Sequence, residues 1–293
     1  MKKLTVSLAV LFALSLLVVL SLSFYGGKEK PAVKEGPAAY RIVAHAMGGI
    51  EHQPYTNAYE AFVANYEKGT RIFEVDFMLS TDGYPLARHE WSANMSKLLG
   101  QTRTLPAEKQ DQPLSRKEFM GTPIFEFYTP LDGERILDLM EHYPDAYIVT
   151  DTKEDDAGYL RLLRKLAEEA KTRNPALLDR VVPQIYSREM LAQVKDIYPF
   201  PQVIYTLYAS EDSDEAVVEF AKETGVWVTM ADSRATEKFV GDLIQTGTQV
   251  YVHTVNDEER IRELSKMGVS GFYTDYFSEE DFSRMQGLSS LSR

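Results

Sequence analysis

From about residue 40 the chain alternates short, mostly apolar runs with longer amphipathic ones, and this pattern limits the possible folds more than any other feature. The short runs lie at 40–44, 71–79, 146–150, 181–186, 202–208, 226–230, 249–254 and 271–274. Between them, segments 58–68, 134–142, 158–172, 188–197, 214–223, 235–245 and 258–267 carry apolar residues at helical spacing. Strands that are apolar on both faces must be covered on both faces, which means an α/β parallel sheet flanked by helices. Eight such strands over roughly 240 residues fit a (β/α)8 TIM barrel. A doubly wound open sheet competes with it, but no glycine-rich nucleotide fingerprint follows the first strand.

One further run, 84–89, reads as a ninth strand. The turn at 80–83 is too short for a parallel crossover, so this strand must return antiparallel. It is therefore a hairpin extension after the second barrel strand. Segment 91–128 has no clear periodicity and contains Pro106, Pro113 and Pro123. A βα loop of that length is expected to shape the barrel mouth and set specificity.

Ahead of the barrel, Lys2 and Lys3 precede an uncharged run from Leu4 to Tyr25. That run is roughly 22 residues, enough for one bilayer crossing. No good Ala-x-Ala cleavage site follows it, and aromatic Phe24 and Tyr25 stand at its exit. The expectation is a transmembrane signal-anchor over 1–25, a linker over 26–38 rich in Gly, Pro and charge, and the barrel over 39–293. The protein would then sit in the cell membrane as a single-pass protein with its catalytic domain outside the cytoplasm; cleavage and secretion is the alternative. The formal net charge of −12 argues against a nucleic-acid partner. The absence of cysteine excludes disulfides, thiolate metal sites and a lipidated-cysteine anchor.

The polar residues at strand ends carry the chemistry. Glu74 and Asp76 stand at i and i+2 on one strand, so they point the same way, about 7 Å apart. Two such anions on an apolar strand make sense with a cation between them or facing water. His45 ends the first strand, His89 closes the hairpin, and Asp151 and Lys153 end the strand that begins near 146. In a barrel these all converge on one rim, where active sites lie. A metal beside a proton-transfer group suits cleavage of a phosphate ester. Other residues have plainer readings. His52 reads as a loop residue and His142 as a helix C-terminal cation. His253 reads as a core or rim group or as a substrate contact, and Asp275 follows the last strand, where it lines the pocket or serves structure. Gly48 and Gly49 serve either a phosphate or an ordinary turn, while Trp91 and Tyr205 read as packing. Glu154, Asp155 and Asp156 read as a helix N-terminal cluster.

In order and spacing, His45, Thr56-Asn57, Glu74-Val75-Asp76, Thr81-Asp82-Gly83, His89-Glu90, Asp151-Thr152-Lys153, His253-Thr254-Val255-Asn256 and Gly271-Phe272-Tyr273-Thr274-Asp275 resemble the glycerophosphodiester phosphodiesterase family. That family belongs to a wider superfamily with phosphatidylinositol-specific phospholipase C. The resemblance implies that Glu74, Asp76 and Asp151 bind one divalent cation, Mg²⁺ or Ca²⁺ by their oxygen ligands. It implies that His45 and His89 are the acid/base pair and that Lys153 stabilises phosphoryl charge. The substrate would be a glycerol- or polyol-phosphate diester, small or derived from a lipid or polymer. Three departures stand out. Ala46 replaces an Arg that binds phosphate in the family. Arg88 is a candidate substitute but is expected on the opposite face from His89. Asp151 stands where a Glu is usual, as in the sphingomyelinase D-like branch, and His253 replaces a Trp. They motivate two alternatives: a non-catalytic barrel that binds envelope polysaccharide or a partner, and a phospholipase D-like enzyme acting on membrane lipid.

Overall fold

The computed structural model describes residues 36–291, with side chains through 287. The expected anchor at 1–25 and most of the linker lie outside the described residues. Among the described residues no helix is long and apolar enough to cross a membrane.

The strands are β1 (Ile42–Ala44), β2 (Ile72–Leu79), β3 (Pro85–Ala87), β4 (Tyr147–Thr152), β5 (Val181–Ile185), β6 (Ile204–Thr206), β7 (Trp227–Ala231), β8 (Val250–His253) and β9 (Gly271–Thr274). Apart from β3, each pairs in parallel with its neighbours in the order β1-β9-β8-β7-β6-β5-β4-β2. β1 also pairs with β2, Val43 opposite Ile72, so the sheet closes into the expected eight-stranded barrel. β3 runs antiparallel to β2, with Phe77 opposite Ala87, as the short turn required.

Alternation along the strands sorts side chains into barrel interior and helix shell. Val43, Ile72, Val149, Val182, Ile204, Trp227, Tyr251 and Tyr273, one from each barrel strand, form a common interior cluster. Phe73, Val75 and Phe77 of β2 face the other way and join the larger core beneath the helices. Two residues beyond Ile72 and Val149 the period of two returns side chains to the interior. Glu74, Asp76 and Asp151 are thereby placed above the apolar layer.

Caps fix the helix boundaries. Asp132, Asp155, Ser213, Thr236 and Asp257 each accept the backbone N–H three residues on. Each such cap contributes about 1 kcal/mol. They explain why helices begin at Asp156 and Glu237 rather than at the first periodic residue. The expected acidic cluster is confirmed in detail: Asp155 is the cap, and Glu154 turns back to accept from Leu79 N at 2.9 Å. A final helix, Glu279–Leu291, has no counterpart in the periodicity reading. Its Glu279 carboxylate accepts from Ile42 N at 2.8 Å and from Arg41 N, tying the chain end to the start of β1.

Segment 91–128 is not a bare loop. It contains helices Ala93–Leu98 and Arg116–Met120, the second closed by a reciprocal Ser115–Glu118 capping box. Leu105, Leu114 and Phe119 pack with Leu86 of β3 as a small separate core, against which Trp91 rests.

Candidate active site

β2 and β4 supply the floor of the site. Their register sets Asp76 opposite Asp151, and β2 carries Glu74 one inward position earlier. One oxygen from each of the three carboxylates lies within 4.8 Å of the others. Glu74 and Asp76 are buried and Asp151 is partly so. Each is held from outside the cluster. Ala46 N donates to Glu74 Oε2 at 2.6 Å. Asn57 Nδ2 donates to Asp76 Oδ2 at 2.9 Å, while Asn57 Oδ1 accepts from Asp76 N. Asp151 Oδ1 accepts from Tyr186 Oη and, at 3.2 Å, from Gln184 Nε2. Gln184 is itself fixed by Tyr273 Oη at 2.9 Å.

Burial, and then the charge of Asp76, raise the carboxyl of Glu74 well above the usual range and raise that of Asp151 as well. Lys153 Nζ is 3.8 Å from Asp151 Oδ2, beyond hydrogen-bond reach, and lies over the Tyr208 ring at 4.5 Å. Three converging carboxylates fit a divalent cation by their donor chemistry: all oxygen, three negative charges, and one common point of approach.

The histidines stand above this cluster. His45 Nδ1 is 2.8 Å from Asp275 Oδ1, and Asp275 Oδ2 accepts from Asn256 Nδ2 at 2.6 Å. That leaves His45 Nε2 for proton exchange. Burial pulls the imidazole down, but the Asp275 hydrogen bond and the charges of Glu74, Asp76 and Asp275 outweigh it and raise His45 to about 9. His89 follows β3 directly. Its nearest acid is Glu90, 3.8 Å from Nδ1. Between the two imidazoles lies Tyr55, whose ring meets His45 edge-on at 4.9 Å and His89 at 5.3 Å.

The loop after β1 that carries Tyr55 is held out of ordinary backbone space. Ala46, Met47, Glu51, His52, Tyr55 and Asn57 all have positive φ. Left-handed non-glycine residues cost roughly 1–3 kcal/mol each and persist only where surrounding contacts enforce them. Asn65 provides some of those contacts, donating to the carbonyls of Met47 and Gly49. Gly48 and Gly49 serve this packing. A Cβ on Gly48 would meet Asn65 Nδ2 at 2.4 Å, and one on Gly49 would meet the Asp275 carbonyl at 2.7 Å.

His45, Glu74, His89, Asp151 and Lys153 line one cavity of about 340 Å³, and Asp76 lies buried beside them. The residues read from the sequence as one constellation are thus brought together. His253 also lines the cavity; burial, and then His45 and Lys153, lower it to about 4, so it is neutral. His52 and His142 are exposed and away from it. Tyr205 is buried and bonded to Ser210 and Asp212. The insertion 91–128 supplies no residue to the described lining of this cavity, but its Tyr128 hydroxyl donates to Glu51 of the loop after β1 at 3.1 Å. Arg88 is likewise not a phosphate ligand. It is buried, it donates to Glu90 O, Gln101 Oε1 and Ser96 Oγ at 2.7–2.9 Å, and it stacks on Trp91. Nothing in the local sequence pattern marks Tyr55, Tyr186, Gln184 or Tyr208, and the bond from Asp275 to His45 emerges only in the fold.

Residues 48–279 match the glycerophosphoryl diester phosphodiesterase family. Solved structures share the fold. A glycerophosphodiester phosphodiesterase from Parabacteroides distasonis superposes with a TM-score of 0.66 at 16% identity, covering 85% of this chain and 98% of its own. A phosphodiesterase from Oleispira antarctica, in complex with its product sn-glycerol-3-phosphate, gives 0.66 at 18% identity, covering 84% and 96%. A glycerophosphodiester phosphodiesterase from Thermotoga maritima gives 0.61 at 20% identity, covering 84% and 98%. Comparison with curated protein sequences gives no significant match.

Proposed function

The chain belongs to the glycerophosphoryl diester phosphodiesterase family and is a phosphoric diester hydrolase, and from that premise we propose that it cleaves glycerol- or polyol-phosphate diesters at the cavity between His45 and His89. The observation that carries this reading is the convergence of both histidines on a cavity floored by Glu74, Asp76 and Asp151. The Oleispira antarctica relative, bound to sn-glycerol-3-phosphate, supports glycerol phosphate as the product class.

Glu74, Asp76 and Asp151 would hold one Mg²⁺ or Ca²⁺. Such a cation would supply Lewis-acid charge stabilisation to the phosphoryl oxygens. His45, kept protonated by Asp275, gives its Nε2 proton to the leaving alcohol. His89 takes the proton of the attacking water or of a neighbouring substrate hydroxyl. Lys153, exposed at the rim, meets the phosphoryl charge directly. The residues at 1–25 anchor the enzyme to the membrane with the barrel outside the cytoplasm. Lys2, Lys3 and the uncharged run after them support this.

The test is turnover of glycerophosphocholine and bis(p-nitrophenyl) phosphate with Mg²⁺, Ca²⁺ or EDTA. Wild-type activity should need the cation, and His45→Ala and Glu74→Ala should both abolish it. No turnover by a folded wild-type protein on either substrate would defeat the reading. Turnover confined to micellar lipid would replace it with the phospholipase D-like one. Protease accessibility of the barrel in intact cells tests the placement outside the cytoplasm.

A further inference from the structure

We propose that Tyr55 is a substrate-contacting residue of this site, its hydroxyl donating a hydrogen bond to a phosphoryl oxygen of the diester seated between His45 and His89. This role presupposes that the cavity is the phosphodiesterase site argued above.

The placement of Tyr55 is costly and specific. Its φ is 63°, in the left-handed region that a bulky residue rarely occupies. Neighbouring Thr56 and Asn57 are buried, and Asn57 is locked onto Asp76, so the loop cannot relax without disturbing the carboxylate cluster. The backbone therefore holds a half-buried ring between two imidazoles, with edge contacts at 4.9 and 5.3 Å, on the wall of the cavity. Strain kept at such a point is associated with function.

The hydroxyl is uncommitted, since Tyr55 Oη makes no hydrogen bond to another described residue. Of the other tyrosines around the site, Tyr186 is bonded to Asp151 and Tyr273 to Gln184, while Tyr208 stands exposed at the rim beneath Lys153 and not between the two imidazoles. Its surroundings are anionic. Burial and then the charges of Asp275, Asp76 and Glu74 favour its protonated form, so it is a donor at any working pH. Cationic donors are few in the described lining. Ala46 offers only a buried methyl, and Arg88 is bound within the insertion. Lys153 is the one lysine or arginine in the described lining of the cavity. A phosphodiester brings two non-bridging oxygens, and a neutral donor between the proton-transfer groups can bind one without perturbing either histidine by charge.

The decisive variant is Tyr55→Phe, which keeps the ring contacts with both histidines and removes only the oxygen. With cation-loaded protein and glycerophosphocholine, kcat/KM should fall about 100-fold, the order seen when one donor to a developing phosphoryl or acyl oxygen is removed. Competitive inhibition by inorganic phosphate should weaken in the same variant, and its melting temperature should not change. Tyr55→His, a donor that tolerates the left-handed backbone, should recover part of the rate. A ring that acts only as a spacer predicts wild-type kcat/KM and phosphate inhibition in Tyr55→Phe, and that result overturns the proposal, as does a faster Tyr55→Phe. Absence of turnover in wild type under all cation conditions overturns the phosphodiesterase reading itself, and is told apart because it does not depend on residue 55.

Discussion

At the scale of single residues, the proton inventory of the site hangs on Asp275. Its carboxylate fixes the His45 tautomer at 2.8 Å and helps hold the imidazole at about 9. A cation on Glu74, Asp76 and Asp151 offsets two of the charges that raise His45. The alkaline limb of kcat in the loaded enzyme should therefore lie below about 9. Asp275→Asn keeps the size and removes the charge. Its alkaline limb should move further down in pH, and kcat should fall by about 100-fold, the low end for loss of an effective proton donor. A pH–rate profile at saturating cation checks both, and an unmoved limb would mean that Asp275 does not set the charge of His45. The contrast between the two residues shows what sequence can reveal at this scale. Glu74 and Asp76 are legible because two carboxylates at i, i+2 on an apolar strand demand an explanation. His45, Asp151 and Lys153 are legible as polar residues at strand ends. Asp275 was not assigned its task because its partner is 230 residues away in sequence. Tyr186 and Gln184 look like ordinary strand residues until β5 is set beside β4. Tyr55 sits in a strained loop that follows no periodicity.

Elements explain why the hairpin and the insertion are there. β3 returns along β2 and delivers His89 to the rim, while Arg88, one residue earlier, points away from it, as strand alternation requires. The guanidinium is buried and forms no ion pair with a carboxylate among the described residues. Burial lowers it to about 10, with Glu90 opposing. Its hydrogen bonds to Ser96 and Gln101 join the hairpin to the first helix of the insertion and the turn after it. Arg88→Ala leaves those groups unsatisfied and should cost roughly 3 kcal/mol. The loss should appear first in segment 91–128. Limited proteolysis is expected to cut there while the barrel survives, and kcat should drop as His89 loses its support. Equal cleavage rates in wild type and variant would show that the insertion does not depend on this anchor. The small core of Leu86, Leu105, Leu114 and Phe119 is hidden in the sequence because its residues come from strand β3, two irregular stretches and one short helix, with no common period. Length alone suggested a cover over the mouth. The segment packs on the hairpin through Leu86 and also reaches the loop after β1 through Tyr128 and Glu51.

For the whole molecule, the barrel was legible because eight strands apolar on both faces leave little other than a closed parallel sheet. The closing pair β1–β2 and the helix at Glu279–Leu291 needed the structure, since neither is visible in local pattern. Closure has a thermodynamic consequence. β2 and β4 meet through six paired positions, and the carboxylate cluster sits across that seam. Without a cation, Glu74 and Asp151 titrate above their ordinary values of 4.5 and 3.8. The folded state then binds more protons than the unfolded chain, so stability falls as pH rises from about 4 through the raised values. His45 acts in the same direction: its contribution is complete below 6.5 and is lost as pH passes about 9. A divalent cation needs these carboxylates ionised and so competes with the protons. Its stabilisation, about 2.7 kcal/mol at a hundred times Kd, should therefore be large at pH 8 and much smaller at pH 5 at the same cation concentration. Melting curves in EDTA and in Mg²⁺ or Ca²⁺ at both pH values measure this difference. Glu74→Gln, which removes one ionisable ligand, should shrink the increment at pH 8 and make the cation-free protein less sensitive to pH. An increment equal at both pH values, or one that survives in Glu74→Gln, would place the bound cation somewhere other than the seam between β2 and β4.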